Sequence, residues 1–418
     1  MKRYCKHIDI TDWRTVLPWV TECVLRHKKR YDFRSLVCYS VGRSRKSLSA
    51  ELESGDNSVF LKASEIIAKD AVERIKNREL NLKPVTYKER EDNSSRKIRL
   101  IGNESAMQQV FDYIAVRSCE EIWSKRLVKQ QIAGLKNRGA IYGTRMIQGW
   151  IDKDNKAISW AKRHNARYSS KCKYFVKADV KQCYPSLRTE NFMRYFRKDC
   201  ANETILWLWE ILLNSHSVGN YNGFMIGALS SQWACQYMMS FIYRHVLELH
   251  STRRNKCISW VSHVAIQMDD ILLLSSSKKS LKKAMFDIIH FAKEKLGLHL
   301  KLTWQIQKLE TTPIDIVGYK LYRDGGVSVR SRIFLRARRC VLRVSRRFKM
   351  SVSQARRLTS YKGFFVDNGK HRISRKGKHS DSRRVFKKYK FYRFFSIAEH
   401  ITSRFDRGGA HYEYACLL

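Results

Sequence analysis

Helical and strand-like patterns of apolar residues follow one another along this chain and predict a protein of mixed α and β structure. Near the N-terminus, five apolar residues recur at helical spacing: Trp13, Val16, Leu17, Val20 and Val24. Residues 63–72 form a second amphipathic stretch. Strand character begins at 84–88 and 96–101, and the polar residues 92–95 between these stretches predict a hairpin.

Beyond residue 100, helical and strand patterns alternate. Helices are predicted at 107–124, up to about 164, after 232 and at 281–296, and strands at 298–306 and 313–322. Gly297 directly follows one of these helices and is placed to end it. Gly325 and Gly326 predict a turn into one more strand.

Two strand-like apolar stretches end in carboxylates. Residues 174–178 lead to Asp179, and residues 260–266 and 271–274 enclose Gln267-Met268-Asp269-Asp270 as a hairpin turn. A lone Asp-Asp pair is more often a solvated turn. Two carboxylates held side by side repel one another, however, and a fold that fixes them needs a cation such as Mg²⁺. With Asp179 as a third acid, the pattern predicts a two-metal site for in-line phosphoryl transfer.

Three further stretches could line such a site. Lys97 and Arg99 share one face of a predicted strand and could contact a triphosphate, although such a strand is more often a solvated face. Tyr184 could exclude a 2′-hydroxyl by steric clash, or it could pack at a helix start. Residues 223–232 form a glycine-containing loop that could hold a base pair or simply cap the next helix.

The balance of charge indicates a polyanionic partner. The 418 residues include 82 Lys and Arg against 38 Asp and Glu, a formal net charge of +44, and nucleic acid is the default partner of so basic a protein. A membrane surface is the rival, but we find no run of about 18 apolar residues, signal peptide or prenylation motif. The eleven cysteines are scattered, which favours free thiols in a reducing cytoplasm over a zinc site.

From Arg330 onward the chain is strongly basic and helical in pattern. Aromatic residues interleave the charge: Phe386, Tyr389, Phe391, Tyr392, Phe394 and Phe395. Cations that neutralise phosphates and rings that stack on bases favour a nucleic-acid contact over a merely solvated face.

Taken in this order, the stretches resemble the palm of reverse transcriptases. Asp179 with Tyr184 is similar to the first palm motif, Ile226-Gly227-Ala228-Leu229-Ser230-Ser231-Gln232 to the second, and Gln267-Met268-Asp269-Asp270 to the third. Residues 304–306 and 314–319 resemble the later palm segments and the primer grip. The resemblance runs from about Pro84 to Arg332. It is strongest to bacterial non-retroviral enzymes, above all the defence-associated (unknown-group) branch, with the diversity-generating retroelement enzymes next.

The resemblance implies an α+β fold of the right-hand polymerase type, with an antiparallel palm sheet and a helical, basic thumb. It implies four consecutive regions: an N-terminal helical region (1–83), fingers (84–170), palm (171–330) and thumb (331–418). The implied nucleotide-binding residues are Lys97, Arg99, Val180, Tyr184, Ile226, Gly227, Gln232 and Lys301. The implied ligands of two Mg²⁺ ions, for which Mn²⁺ could substitute, are Asp179, Asp269, Asp270 and the carbonyl of Val180.

The activity implied is RNA-directed DNA synthesis from dNTPs. The template would be a structured non-coding RNA, the product a cDNA, and the role bacterial defence against phage. Lys97 and Arg99 would clamp the triphosphate, and Lys301 is a candidate for protonating the pyrophosphate. The sequence shows no ribonuclease H or endonuclease motif and leaves the template, the primer, the oligomeric state and the fate of the cDNA open.

Three positions depart from the family pattern. The usual aromatic residue before x-Asp-Asp is Gln267, the Gln of retroviral enzymes is Ile226, and the proline that often precedes it is Met225. Primer-terminus handling and fidelity are therefore open. An RNA-dependent RNA polymerase shares the palm, but Tyr184 argues against it. A non-enzymatic RNA-binding protein is the other alternative, and it gives no reason to hold three carboxylates in so basic a chain.

Overall fold

The computed structural model describes residues 2–48, 55–91, 97–135, 137–219, 221–347, 349–366, 391–406 and 414–416. The predicted turn at 92–95 and the aromatic positions Phe386 and Tyr389 lie outside these ranges, as do the side chains of Phe391 and Tyr392.

The α-helices of the described residues are as follows: α1 (Trp13–His27), α2 (Tyr31–Val41), α3 (Ser58–Lys76), α4 (Ala106–Arg117), α5 (Glu120–Arg126), α6 (Ala140–Arg163), α7 (Cys183–Ser186), α8 (Thr189–Asp199), α9 (Glu203–Asn214), α10 (Leu229–Glu248), α11 (Lys278–Phe291), α12 (Ser331–Arg347), α13 (Val352–Val366) and α14 (Phe391–Asp406). A π-helical turn, Ala292–Leu296, continues α11.

The strands are β1 (Thr86–Glu91), β2 (Ile98–Asn103), β3 (Tyr174–Asp179), β4 (His250–Arg253), β5 (Lys256–Ser259), β6 (His263–Gln267), β7 (Asp270–Ser275), β8 (Ile306–Lys308), β9 (Ile314–Ile316), β10 (Tyr319–Leu321), β11 (Val327–Val329), β12 (Lys349–Ser351) and β13 (Tyr414–Cys416). They form a four-stranded sheet in the order β6-β7-β3-β8, a three-stranded sheet β11-β10-β9, and the pairs β1-β2, β4-β5 and β12-β13. Helices and largely antiparallel sheets together confirm the predicted α+β class.

The chain divides into two compact units of interleaved segments. Unit 1 is Met1–Gln131, Asp179–His245 and Phe286–Leu302, and unit 2 is Ile132–Ala178, Val246–Met285 and Thr303–Leu418. These units differ from the four consecutive regions implied by the resemblance, which were assigned by role and not by contacts. The division into an N-terminal region, fingers, palm and thumb stays a prediction.

Unit 1 is built mainly of helices whose apolar stripes pack together. Polar caps fix where several of them begin: Asp12 accepts from the backbone N–H of Arg14 at 3.1 Å and starts α1, while Ser105 accepts from Gln108 at 3.2 Å and starts α4. The predicted helix 107–124 is two helices, because the chain turns at Ser118 and Cys119. The Ser118 hydroxyl donates to the carbonyl of Ala115 at that turn.

Unit 2 is organised around the four-stranded sheet. Its central strands are largely buried, and Leu272 and Leu274 of β7 pack with Phe175 of β3 and Ile147 of α6 in one buried cluster. A second cluster lies beneath α12, α13 and α14. The buried residues Ala337, Val341 and Val344 define the inner face of α12, and the exposed arginines of its outer face are Arg332, Arg339, Arg343 and Arg346.

The strand pattern was correct at the hairpins and wrong at two places. Pairing of β1 with β2, β6 with β7 and β10 with β11 confirms three predicted hairpins. The predicted strand 313–322 is two strands, β9 and β10, which pair antiparallel across a turn at Val317 and Gly318. The predicted strand 298–306 is not continuous, because the chain turns at Leu302 and Thr303 before β8 begins. Leu302 is 77% exposed there, so its apolar side chain gave a misleading signal of a buried strand.

No helix among the described residues is both long and apolar enough to span a membrane. None of the ten cysteines whose side chains the structure describes forms a disulfide.

Candidate active site

The hairpin β6–β7 presents the paired carboxylates at its turn. Gln267 pairs with Asp270, so Met268 and Asp269 are the two central residues of a tight loop. Met268 has φ +54° and Asp269 is not among the residues with positive φ. Positive φ at the first central residue only is the pattern of a type II′ turn, where glycine is usual. A methionine held in this conformation is a strained position of the kind that clusters at functional sites.

Strand β3 carries the third carboxylate as its last residue. In the four-stranded sheet, β3 is the neighbour of β7, which starts at Asp270. The sheet therefore holds the ends that bear Asp179 and Asp270 on adjacent strands. That these three carboxylates form one site stays a prediction.

The backbone beyond Asp179 fixes the direction of the Val180 carbonyl. Lys301 N–H donates to the Asp179 carbonyl at 2.8 Å and Lys181 N–H donates to the His299 carbonyl at 2.7 Å. These two bonds flank the antiparallel bridge between Val180 and Leu300. Val180 is thus a non-hydrogen-bonded pair position, and its own N–H and C=O point away from Leu300.

The Asp179 carboxylate lies against Lys301. The Lys301 ammonium donates to Asp179 Oδ2 in an ion pair, while Asp179 Oδ1 is buried and has no hydrogen-bond partner. A buried carboxylate oxygen without a partner is costly unless a cation or another donor meets it. The donor set of carboxylates and one carbonyl is also the set that Mg²⁺ prefers. Within the described ranges, no three His, Cys, Asp or Glu side chains already stand in a metal-binding group.

Residues 223–227 link two other predicted parts of the site within unit 1. The backbone N–H of Phe224 donates to the Tyr184 carbonyl at 2.9 Å, and the N–H of Gly102 on β2 donates to the Ile226 carbonyl at 3.1 Å. The loop therefore joins the Tyr184 turn to the strand that follows Lys97 and Arg99.

Glycine is required at one position of this junction. A Cβ on Gly223 would lie 2.5 Å from the Pro185 carbonyl oxygen, so the two backbones approach more closely than a side chain allows. A Cβ on Gly102 would lie 1.9 Å from the Met225 sulfur, and the Met225 side chain would have to move to admit it. The second motif is consequently held in a fixed place beside β2 and α7.

The predicted nucleotide-binding residues of unit 1 surround this junction. Lys97 and Arg99 are exposed at the start of β2, and Arg99 lies three residues, or about 10 Å, before Gly102 along the strand. Tyr184 and Ile226 are half-buried, Gly227 is exposed, and Gln232 lies half-buried in the first turn of α10. The Phe224 N–H bond to the Tyr184 carbonyl brings the loop and Tyr184 together, and the nucleotide contacts stay predictions.

A cavity of about 500 Å³ opens on unit 2 beside the segments that resemble the primer grip. Phe175 and Lys177 line it from β3, and because side chains alternate along a strand they share a face with Asp179. Arg330 pairs with the Asp315 carboxylate at 2.6 Å and Lys177 donates to the Asp315 carbonyl at 2.7 Å. The β9–β10 turn next to it has φ +47° at Val317, a conformation that a β-branched residue rarely adopts.

A buried polar cluster beneath the second motif was missed from the sequence. It consists of Glu104, Asp112 and His216, which are at most 5% exposed, together with Ser230 and Ser231. Asp112 Oδ2 accepts from the backbone N–H of Ser230 at 3.0 Å and so caps the start of α10. The one local sign of this cluster in the sequence is Asp112, a carboxylate among the apolar residues of α4.

Burial keeps the ionisable members of this cluster neutral near pH 7. It raises the pKa of Glu104 and of Asp112 to about 8 each and lowers the pKa of His216 to about 4. Glu104 Oε1 and His216 Nε2 are 3.4 Å apart. Since both groups are neutral, this contact is not an ion pair.

The cluster predicts that the free energy of unfolding falls as pH rises from about 6.5 to 8. In that range both carboxyls ionise freely in the unfolded chain but are held protonated in the folded one. Below pH 6.5 His216 opposes this trend, because the unfolded chain takes up its proton. We expect a slope of roughly 1 kcal/mol per carboxyl per pH unit. Glu104→Gln should halve the slope in chemical denaturation, the exposed control Glu79→Gln should not, and an unchanged slope would contradict the assignment.

Comparison with known proteins gives a family for the chain. A family model described as reverse transcriptase (RNA-dependent DNA polymerase) matches residues 93–321, more than half of the chain and the part that contains all three carboxylates. A search of curated proteins found no match.

Among solved structures, the chain is similar to telomerase from Candida albicans in complex with a TWJ fragment of telomeric RNA. The TM-score is 0.38 and the identity 12%, over 77% of this chain and 61% of that one. The chain thus spans less than two thirds of the length of that telomerase, and so distant a likeness adds nothing to the functional assignment. On the match of its sequence over residues 93–321, this α+β chain belongs to the reverse transcriptase family, a family of RNA-dependent DNA polymerases.

Proposed function

We propose that the chain is an RNA-directed DNA polymerase that extends a primer with dNTPs on an RNA template. The observation that carries the proposal is the sheet order: Asp179 ends β3, and Asp269 and Asp270 lie at the turn that opens its neighbour β7. If these neighbours pair antiparallel, the end of one strand meets the start of the other. The three carboxylates then gather at one edge of the sheet.

In this proposal Asp179, Asp269, Asp270 and the Val180 carbonyl hold two Mg²⁺ ions. The bound ions would lower the pKa of the primer 3′-hydroxyl and neutralise charge on the triphosphate. The partnerless Oδ1 of Asp179 and the outward-facing Val180 carbonyl support these ligands. Lys301 neutralises Asp179 until a metal ligates that carboxylate and is then close enough to meet the pyrophosphate leaving group.

The rest of the pocket would position the nucleotide. Lys97 and Arg99 would contact the phosphates, with Arg99 able to bind two oxygens at once. The backbone of Ile226 and Gly227, fixed against Gly102, would lie along the base pair, with Gln232 behind it. Tyr184 would sit under the sugar. These residues contribute orientation and electrostatics rather than covalent chemistry.

We further propose that the template is a structured non-coding RNA and that the role is bacterial defence against phage. The support is the resemblance of residues 226–232 to the second motif of bacterial enzymes, together with the net charge of +44. A diversity-generating retroelement enzyme is the alternative within the same family. Sequencing the RNA and cDNA that co-purify with the protein tests the choice, because a diversification role requires cDNA related to a protein-coding gene and the proposed defence role requires cDNA of a non-coding RNA.

Primer extension on an RNA template tests the activity. We expect incorporation of dNTPs with Mg²⁺, complete loss on chelation with EDTA, and recovery on adding Mg²⁺ or Mn²⁺ in excess, because the carboxylates need a divalent ion to act together. Incorporation should be measured on gels with RNA and DNA templates of one sequence. Extension that continues in EDTA would refute the metal site, and extension on the DNA template alone would refute the RNA-directed activity.

A further inference from the structure

The hairpin β4–β5 is exposed on both of its faces. All eight residues of its strands are exposed to solvent, and so are the two residues of its turn. An isolated two-stranded hairpin is at best marginally stable in water. A hairpin that buries neither face gains little from the rest of the fold, which suggests that a partner covers it.

The arrangement of positive charges on this hairpin destabilises it in the free protein. Arg253 and Lys256 lie directly opposite each other across the two strands, and like charges in that register are destabilising. The turn residues Arg254 and Asn255 have φ +48° and +56°, so a third cation stands at the tip in a conformation that favours glycine. An anion bound between these three cations would attract each of them and offset their mutual repulsion.

The hairpin is tied to a second group of cations through Trp260. The Trp260 indole N–H donates to the Ser251 hydroxyl at 2.7 Å, and the Lys283 ammonium lies 5.6 Å from the centre of its ring. Lys283 belongs to a set of exposed lysines at the start of α11: Lys278, Lys279, Lys282 and Lys283. Their spacing of one and four residues places them on one side of the helix.

This surface contains seven cations and is remote from the catalytic turn. Between His250 and Met285 the cations are Arg253, Arg254, Lys256, Lys278, Lys279, Lys282 and Lys283, and the acids are Asp269 and Asp270 alone. Those two acids lie at the opposite end of the β6–β7 hairpin, because His263 pairs with Leu274 near Trp260 while Gln267 pairs with Asp270 at the turn. The length of β6 separates the two ends by about 14 Å.

We propose that the β4–β5 hairpin and the lysine side of α11 form a docking surface for double-helical RNA, outside the polymerase site. The cations would neutralise phosphates on the two sides of a groove. The exposed polar side chains of Thr252, Asn255 and Ser259 would meet the 2′-hydroxyls in the wide, shallow minor groove of an A-form helix. The surface extends the proposed function, since a folded template could be held by its duplex part while its single-stranded part is copied.

Binding of an RNA duplex of about 20 base pairs, measured by fluorescence anisotropy over a range of salt, tests the surface. The variant is Arg253→Gln with Arg254→Gly and Lys256→Gln in the full chain. Glycine at 254 removes a charge and also relieves the positive φ, so weaker binding cannot be ascribed to a disrupted turn. We expect binding about tenfold or more weaker and a salt slope smaller by about 2 to 3.

A matched control removes the same charge from another exposed helix. Lys62→Gln, Lys69→Gln and Lys76→Gln lie on α3, where Glu65 and Glu73 intersperse the lysines, and this variant should bind almost as the parent does. The charge-conserving change Arg253→Lys with Lys256→Arg should retain affinity. Equal losses in the α3 control and the hairpin variant, or unchanged binding in the hairpin variant, would overturn the proposal. Hairpin-dependent binding of a DNA duplex as tight as that of RNA would overturn the assignment to RNA.

Primer extension separates this proposal from the proposed function. On a short, unstructured template the hairpin variant should extend a primer as fast as the parent, because its catalytic turn is untouched. Loss of that activity would make the hairpin part of the polymerase site and overturn a separate surface. If the parent extends no primer but its duplex binding still depends on the hairpin, the polymerase proposal fails and the docking surface stands.

Discussion

Replacement of both Asp269 and Asp270 by Ala is expected to abolish dNTP incorporation while leaving RNA binding nearly intact. Two of the three carboxylates proposed to ligate the metals would be lost, and metal ions supply several kcal/mol of transition-state stabilisation in phosphoryl transfer. At 1.36 kcal/mol per tenfold in rate, we expect a loss of about 1000-fold or more in kcat. RNA binding depends on the many cations elsewhere, such as the outer face of α12.

Single-turnover primer extension and filter binding on the same preparation measure the two effects. The isosteric pair Asp269→Asn with Asp270→Asn keeps the shape of the turn and should be equally inactive. Glu310→Gln is the matched control, since it removes an exposed carboxylate whose partner is the surface residue Lys308. A double Ala variant that still extends a primed RNA template would disprove the assignment of the site.

The strands that lead to Asp179, Asp269 and Asp270 could be predicted from the sequence because most of their residues are buried and apolar. Strands buried on both faces appear as unbroken apolar runs, and an acid at the end of such a run is conspicuous. Asp269-Asp270 lies between two such runs, and Asp179 follows 174–178, a run interrupted only by Lys177; β3, β6 and β7 form where expected. The order of the strands in the sheet could not be deduced from these runs, because it depends on pairing between distant segments.

Other features depend on contacts between distant segments, which local patterns do not contain. Asp112 meets Ser230, 118 residues away, and Lys301 meets Asp179, 122 residues away. The pattern of α4 therefore contains nothing that marks Asp112 as the cap of another helix. The break between α4 and α5 at Ser118 is likewise decided by packing, since neither Ser118 nor Cys119 is a strong helix breaker.

Substitution of Tyr184 by Ala is expected to remove most of the discrimination against ribonucleotides. The second motif is fixed against the Tyr184 turn by the Phe224 N–H and by the absence of a side chain at Gly223, so the pocket cannot easily widen to admit a 2′-hydroxyl. Forcing extra atoms into a packed site costs typically about 1–3 kcal/mol, which corresponds to about 5- to 160-fold in rate. The ratio of kcat/KM for dATP to that for ATP should fall by this factor in Tyr184→Ala.

The ring and not the hydroxyl of Tyr184 should matter, so Tyr184→Phe is the control that keeps the discrimination. The same measurement decides between the two polymerase classes, because an RNA-dependent RNA polymerase would prefer ATP to dATP in the unaltered chain. Such a preference would exclude the assignment as a DNA-synthesising enzyme. If the chain prefers dATP and both Tyr184 variants retain that preference, sugar selection must come from another part of the pocket. The half-buried Ile226, which the loop holds beside Gly102, would then be the residue to vary.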